Sequence, residues 1–132
     1  MTVLITGANR GIGKALLDGY TIRGEKTLGT HRGPQDGAML QLDVTDPASQ
    51  CALATQMKGE PVDLLVCNAG VNLDKGQGLE GGYPAAMWEA TFAANVTGAF
   101  MTIQSMLSNL RRSKAPNIAI ISSQLGSQTI AS

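Results

Sequence analysis

Apolar and polar positions follow two patterns that alternate along the chain. Short apolar runs typical of buried strands alternate with longer segments whose apolar residues recur every three or four positions, as in helices. We predict strands near residues 2–6, 26–31, 39–43, 62–67 and 117–122, and helices near 11–23, 47–58, 84–95 and 98–112. This alternation favours one α/β domain over 1–132, a doubly wound parallel sheet of about five strands in the order 3-2-1-4-5.

The first predicted strand runs directly into a glycine-rich turn. Gly7, Gly11 and Gly13 leave no Cβ where the backbone must turn sharply and approach phosphate oxygens. The helix that begins near Gly11 would direct unpaired N–H groups and a positive dipole end at a ligand, and Arg10 adds a charge. Such glycines also occur in ordinary strand-to-helix turns, but the apolar residues on both sides favour a dinucleotide pyrophosphate site. The helical positions expected to face the sheet are Ile12, Leu16 and Tyr20.

The spacing of this turn resembles the signature Thr-Gly-x-x-x-Gly-x-Gly of the short-chain dehydrogenase/reductase family. The resemblance covers nearly all of the chain and implies a Rossmann-type fold that transfers hydride between a nicotinamide cofactor and a small-molecule carbonyl or alcohol substrate. The apolar run before Asn68 and the Ser122-Ser123 pair are similar to the carbonyl-reductase and C-factor-like branch. The turn residues that the resemblance assigns to the cofactor are Thr6, Gly7, Asn9, Arg10, Gly11, Ile12 and Gly13.

The end of the second strand bears on the choice of cofactor. Sites that prefer NAD usually carry Asp or Glu there, whereas this chain reads Thr30-His31-Arg32. Arg32 could clamp a 2′-phosphate, with Arg10 reaching it from the glycine turn. We therefore predict that NADP(H) is preferred over NAD(H). His31 contacts the adenosine or is an ordinary surface histidine.

Two further segments match the family pattern. The resemblance implies that Asp43, with Val44 beside it, contacts the adenine amino group, although an Asp before a turn is unremarkable by itself. The next helix begins at the cap Asp46-Pro47. After the fourth strand, the family's Asn-Asn-Ala-Gly is matched with Cys67 in place of the first asparagine, which leaves Asn68, Ala69 and Gly70 as cofactor-binding residues.

Two residues are candidates for the chemistry. Asn95 shares a helical face with Trp88 and Phe92, so we expect its side chain to point to a buried region. The family resemblance makes Asn95 the residue that organises a proton-relay water, and a satisfied core amide is the alternative. Ser123, followed by Gly126 in the family pattern Ser-x-x-Gly, would donate its hydroxyl to the substrate carbonyl oxygen.

The family's general acid, a tyrosine in Tyr-x-x-x-Lys, has no match. Tyr20 is followed at the fourth position by Gly24, and Tyr83 by Met87. Family spacing would place the tyrosine just past Ser132. We therefore expect an N-terminal portion, truncated relative to the family and inactive alone, with the fifth strand at a sheet edge. The alternatives are a non-catalytic nucleotide-binding or regulatory short form, and a remnant that does not fold.

Composition excludes several other function classes. Ten basic and ten acidic side chains cancel, and no basic cluster suggests a nucleic-acid or membrane surface. No apolar run approaches a membrane span or a secretory leader, so we expect a soluble cytoplasmic protein, a homo-oligomer by family resemblance, without a metal site. Cys51 and Cys67 are expected to be buried reduced thiols. The glycine-rich stretch 72–82 is predicted to be a surface loop.

Overall fold

The computed structural model describes residues 1–37, 39–70 and 85–121. Its five parallel strands are ordered β3-β2-β1-β4-β5, which confirms the predicted doubly wound sheet. The strands are β1 (Thr2–Ile5), β2 (Lys26–His31), β3 (Met39–Gln41), β4 (Leu64–Cys67) and β5 (Asn117–Ile120). The helices are α1 (Gly11–Ile22), α2 (Pro47–Gln56), α3 (Ala85–Phe92), α4 (Gly98–Ser105) and α5 (Leu107–Arg111), with a π-helical turn at Ala93–Thr97.

The sheet has an apolar core on each face, because alternate residues of β1 point in opposite directions. Val3 and Ile5 pack on one side, where the half-buried side chains of α1 cover them. Leu4 packs on the other side against Leu53 of α2 and Met106 beside α4. All four residues of β1 are buried, which agrees with its position at the centre of the sheet.

The helices differ from the prediction in two places. The expected helix over 98–112 is interrupted at Met106, where ψ is 7° and α5 begins anew. Tertiary contacts hold α5, since the buried Asn109 amide donates to the carbonyls of Met57 and Glu60. The π-helical turn joins α3 to α4 without a break, and a π turn inside a helix shifts the faces on either side.

The burial predictions for Ile12 and Cys51 were wrong. Ile12 is 59% exposed, because Gly13 is the residue of the first turn of α1 that packs against the sheet. Leu16 and Tyr20 do pack on the core, as expected. Cys51 is exposed on the outer side of α2, whereas Cys67 is buried, and both are free thiols. Burial raises the pKa of Cys67 to about 11, so this thiol stays protonated at neutral pH.

The fifth strand lies at one edge of the described sheet, as predicted. Ile118 is 45% exposed and Ile120 is 61% exposed, so β5 presents apolar surface. The predicted surface loop at 72–82 and the strand end at Ser122 lie outside the described residues.

Candidate functional site

A cleft of about 590 Å³ opens at the carboxyl ends of β1, β2 and β4. The order of the sheet explains its place, because the β1–β2 crossover through α1 and the β3–β4 crossover through α2 lie on opposite faces of the sheet and leave a crevice between them. Ten predicted binding residues line it: Gly7, Asn9, Arg10, Gly11, Arg32, Asp43, Val44, Asn68, Ala69 and Gly70. Thr6, Ile12 and Gly13 do not line it, and the lining adds His31, Gly33, Leu42, Thr45 and Ala94.

The glycines of the turn have different physical roles. Gly7 and Gly11 adopt φ values of +64° and +58°, which L side chains rarely tolerate. A Cβ on Gly7 would also come within 2.9 Å of the Cα of Ala69. Gly13 has ordinary helical geometry, but a Cβ there would overlap the Gly7 carbonyl oxygen and crowd the Asn68 amide. Gly13 therefore shapes the turn by close packing.

Thr6 joins the ends of β1 and β4. Its buried Oγ1 accepts hydrogen bonds from the backbone N–H groups of Asn68 and Ala69, both at 3.0 Å. The Asn68 side-chain amide donates to the Gly7 carbonyl at 3.0 Å. Thr6 and Asn68 thus hold the two strand ends together beneath the cleft, and Thr6 acts on the site through these neighbours.

The amino-terminal end of α1 meets the cleft at Arg10 and Gly11. Arg10 is the N-cap residue in extended conformation, its side chain makes no capping hydrogen bond, and the first turn holds no acidic residue. A helix start with no side-chain cap leaves N–H groups and the positive end of the dipole available to an anion. The local chemistry is therefore suited to a phosphate group.

The far side of the cleft is built around a tight turn at Asp43. The Thr45 hydroxyl and backbone N–H donate to Asp43 Oδ1 at 2.6 and 3.0 Å. The Asp43 backbone N–H donates to the hydroxyl of Ser49 at 2.9 Å. The hydrogen bonds from Thr45, and secondarily the positive charge of Arg32, hold the pKa of Asp43 below its usual value. Asp43 is therefore a carboxylate at neutral pH.

Two arginines face the same cleft from different elements. Arg10 comes from the glycine turn and Arg32 follows β2, both are exposed, and neither forms an ion pair within the described part of the chain. His31 lines the same cleft and is half-buried. Its Nε2 atom is buried and has no hydrogen-bond partner among the described residues. These facts disfavour the alternative of an ordinary surface histidine.

Asn95 was expected to point into a buried region, and that expectation was wrong. Asn95 is exposed, and its predicted face-mates Trp88 and Phe92 are 50% and 54% exposed. The π-helical turn shifts the face, so that Ala94 is buried in its place. Asn95 nevertheless lies beside the cleft, because a Cβ on Gly70 would lie 2.6 Å from its Oδ1.

The other catalytic candidate, Ser123, lies outside the described residues, as do Ser122 and Gly126. The last described residue before them is Ile121, whose backbone N–H donates to the Cys67 carbonyl at 3.1 Å. The chain therefore leaves β5 at the carboxyl end of β4, the same edge of the sheet as the cleft.

Three of the lining residues that sequence reasoning missed carry no chemical signal of their own. Gly33, Leu42 and Ala94 are small or apolar, and only the chain positions just after β2 and β3 pointed to the first two. Thr45 could have been found, since a threonine two residues after an Asp is a common partner for its carboxylate. Ala94 reaches the cleft only through the π-helical turn.

Comparison with known proteins agrees with this geometry. The sequence model of the family described as short chain dehydrogenase matches residues 1–132. The chain belongs to the short-chain dehydrogenase family. It is 34% identical over 135 residues to the 3-oxoacyl-[acyl-carrier-protein] reductase MabA of Mycobacterium tuberculosis, covering 96% of this chain and 52% of the relative. It is 31% identical to the 3-oxoacyl-[acyl-carrier-protein] reductase FabG of Escherichia coli, covering 93% and 54%.

Solved structures of the family show the same fold. A short-chain alcohol dehydrogenase from Burkholderia multivorans superimposes with a TM-score of 0.82 at 26% identity, covering 97% of this chain and 64% of that one. A short-chain dehydrogenase/reductase from the same organism, with bound NADP, gives 0.80 at 27% identity, covering 97% and 61%. The chain spans about half the length of the curated relatives it matches. Its placement in the carbonyl-reductase branch stays a prediction.

Within residues 1–37, 39–70 and 85–121, none of the helices is long and apolar enough to cross a bilayer.

Proposed function

We propose that this chain forms the nucleotide-binding portion of an oxidoreductase that uses NADP(H) and acts on a carbonyl or hydroxyl compound. The observation that carries the proposal is that one cleft brings together the uncapped start of α1, the Asp43 carboxylate and two arginines. Neither arginine forms an ion pair within the described part of the chain. These groups match a dinucleotide along its length. The nicotinamide would supply hydride transfer, and the residues of this chain would bind and orient the cofactor.

The preference for the 2′-phosphate rests on charge. A carboxylate at the end of β2 would repel that phosphate, and the chain has His31 and Arg32 there instead. The positive charge of Arg32 helps to lower the pKa of Asp43, which supports a guanidinium on the side of the cleft where the adenosine would bind. The relative from Burkholderia multivorans that holds NADP supports the same choice of cofactor.

The proposal is tested by measuring NADPH and NADH binding to the wild type and to Arg32→Asp. We expect the wild type to bind NADPH more tightly and the variant to lose at least about tenfold in NADPH affinity, since a charge-assisted pair with phosphate becomes a repulsion. NADH affinity should change little. Arg112→Asp is the matched control, because Arg112 lies near the amino ends of the strands, away from the cleft. Equal losses for both cofactors would contradict the assignment.

The reaction partner is proposed from the relatives. MabA and FabG are named 3-oxoacyl-[acyl-carrier-protein] reductases, so 3-oxoacyl thioesters are the first substrates to try, followed by simple aldehydes and ketones. In this proposal Ser123 would donate to the carbonyl oxygen and Asn95, beside Gly70, would hold a water near it. Both roles come from the family resemblance.

A non-catalytic nucleotide-binding form is the second candidate. It is favoured by the character of the described cleft, whose polar groups are suited to phosphate, ribose or adenine. The intact mass of the product from the native locus separates the two. A mass near 13.7 kDa, with NADPH binding and no turnover of any carbonyl, would favour the binding form.

We also propose that a second copy of the chain covers part of its surface, as the family resemblance implies. Apolar side chains recur every fourth position along the α3–α4 segment and are all at least half exposed. A stripe of exposed apolar side chains is a common contact surface between subunits. The stripe consists of Trp88, Phe92, Val96 and Phe100.

A further inference from the structure

A buried polar network connects the adenosine side of the cleft to helix α4. Gln50 of α2 is 2% exposed and Thr102 of α4 is fully buried. The Gln50 Nε2 atom donates to the Val44 carbonyl at 3.2 Å and to Thr102 Oγ1 at 2.9 Å. The Thr102 hydroxyl donates in turn to the Gly98 carbonyl at 2.9 Å. One glutamine thus holds two different elements at once.

An apolar contact joins the same two regions as this network. Val44 lines the cleft and packs so closely on α4 that a Cβ on Gly98 would lie 2.7 Å from Val44 Cγ2. Gly98 is the first residue of α4 and directly follows the π-helical turn that contains Asn95. The loop that carries Asp43 and the turn that carries Asn95 therefore meet at the Val44–Gly98 contact.

Helix α2 supports this loop with two consecutive side chains. The Ser49 hydroxyl accepts from the Asp43 N–H, and the Gln50 amide donates to the Val44 carbonyl. These backbone groups lie beyond the end of β3 at Gln41, so ladder hydrogen bonds of the sheet do not hold them. The loop conformation consequently depends on side chains of α2.

We propose that Gln50 and Thr102 are positioning residues, which fix the Asp43–Thr45 loop against α4 so that the adenosine half of the cofactor meets a preformed surface. The inference rests on the proposed function. A purely stabilising role fits the network poorly, because Gln50 Oε1 is buried without a partner among the described residues and such a half-satisfied amide stabilises little. Holding a fixed arrangement is what a directional network does better than apolar packing.

Gln50→Leu and Thr102→Val, made in the full chain, test the proposal. Gln50→Leu removes the hydrogen bonds from Gln50 to Val44 and to Thr102, whereas Thr102→Val removes the one to Thr102. Both substitutions change the side-chain volume little. We expect faster amide hydrogen exchange at Asp43 and Thr45 in both variants, and about three- to tenfold weaker binding of 2′,5′-ADP, the adenosine portion of NADP. Thr102→Ser keeps the hydroxyl, so its amide exchange at the loop and its affinity for 2′,5′-ADP should match those of the wild type.

The matched control is Thr55→Val. Thr55 lies on the exposed side of α2 and donates to the carbonyl of Cys51 four residues earlier, the same local bond that Thr102 makes to Gly98. It has no link to the cleft, so exchange and binding should not change. If Gln50→Leu and Thr102→Val lower the melting temperature but leave exchange at the loop and the 2′,5′-ADP affinity unchanged, the positioning role is overturned while the proposed function stands. If the wild type does not bind 2′,5′-ADP, the proposed function is overturned and this inference with it.

Discussion

The two ends of the cleft are constructed by different means. At the glycine-turn end, backbone geometry and close packing dominate: Gly7 and Gly13 have no room for a Cβ, and the buried Thr6 hydroxyl ties the strand ends together. At the Asp43 end, exposed or half-buried side chains dominate: hydrogen bonds from Thr45 hold the Asp43 carboxylate, and the exposed Arg32 adds a positive charge near it. The first end should tolerate few substitutions, whereas the second can change its ligand preference without loss of the fold.

The largest expected effect comes from filling the space at Gly13. Gly13→Val places a branched side chain against the Gly7 carbonyl and the Asn68 amide, so the turn must open. Overpacking of this kind costs about 1–3 kcal/mol or more, and nucleotide binding should be lost. Urea unfolding and NADPH titration measure the two effects.

Gly19→Ala is the control for that variant. Gly19 lies in the same helix, and a Cβ there meets nothing within 4 Å. Because alanine is the better helix former, the free energy of unfolding should rise by about 0.5–1 kcal/mol. If the Gly13→Val protein were as stable as Gly19→Ala, the claim that close packing excludes a side chain at Gly13 would be refuted.

Thr6→Val should have the next largest effect. Valine has nearly the same shape but cannot accept the N–H groups of Asn68 and Ala69, which lose their partner at the edge of the core. Leaving a buried donor unpaired costs about 1–3 kcal/mol, so chemical denaturation should show a clear loss. Thr21→Val, which removes only an exposed bond to the Leu17 carbonyl, should be nearly neutral. Comparable losses in the two variants would show that Thr6 does not hold the strand ends.

The smallest effect is expected at the Asp43 end of the cleft, from the ionisation of this carboxyl group. Its folded-state pKa is lowered by Thr45 and Arg32, so its contribution is present above the unfolded-state pKa of about 3.9 and is lost as the pH falls through the lower folded-state value. Asp43→Asn should therefore reduce stability and 2′,5′-ADP binding at neutral pH, and the stability difference from the wild type should shrink below about pH 4. Unfolding curves across pH measure it, with the exposed Asp36→Asn as control. A difference that grows as the pH falls would have the wrong sign.

The local pattern of apolar residues and glycines was sufficient to predict much of the fold and the position of the candidate site. The apolar runs near 2–6 and 62–67 and the glycines at 7, 11 and 13 each carry their signal within a few neighbouring residues, and the sheet order follows from alternation and handedness. Most residues predicted to bind the cofactor do line one cleft, because polar residues after parallel strands gather at one edge. Whether they bind NADP(H) stays a prediction.

The predictions that were wrong concern orientation around a helix. Helical spacing placed Ile12 inward and Cys51 was expected to be a buried thiol, yet Gly13, Gln50 and Leu53 are the residues that face the core. A spacing of three or four residues shows that a helix has an apolar face, but neighbouring residues compete for it and the packing partner decides between them. Asn95 illustrates the same limit, because one π-helical turn moved the face by a residue.

The sequence by itself determined the alternation of strands and helices, the glycine turn and the absence of a carboxylate at the end of β2, since each depends on residues adjacent in the chain. Only the tertiary structure decided that Gln50 meets Thr102 and that Val44 packs on Gly98. Gln50 and Thr102 are 52 positions apart, and nothing in their local sequence distinguishes them from surface residues. Their pairing arises because the sheet places α2 and α4 on the same face, where a buried amide and hydroxyl must find partners.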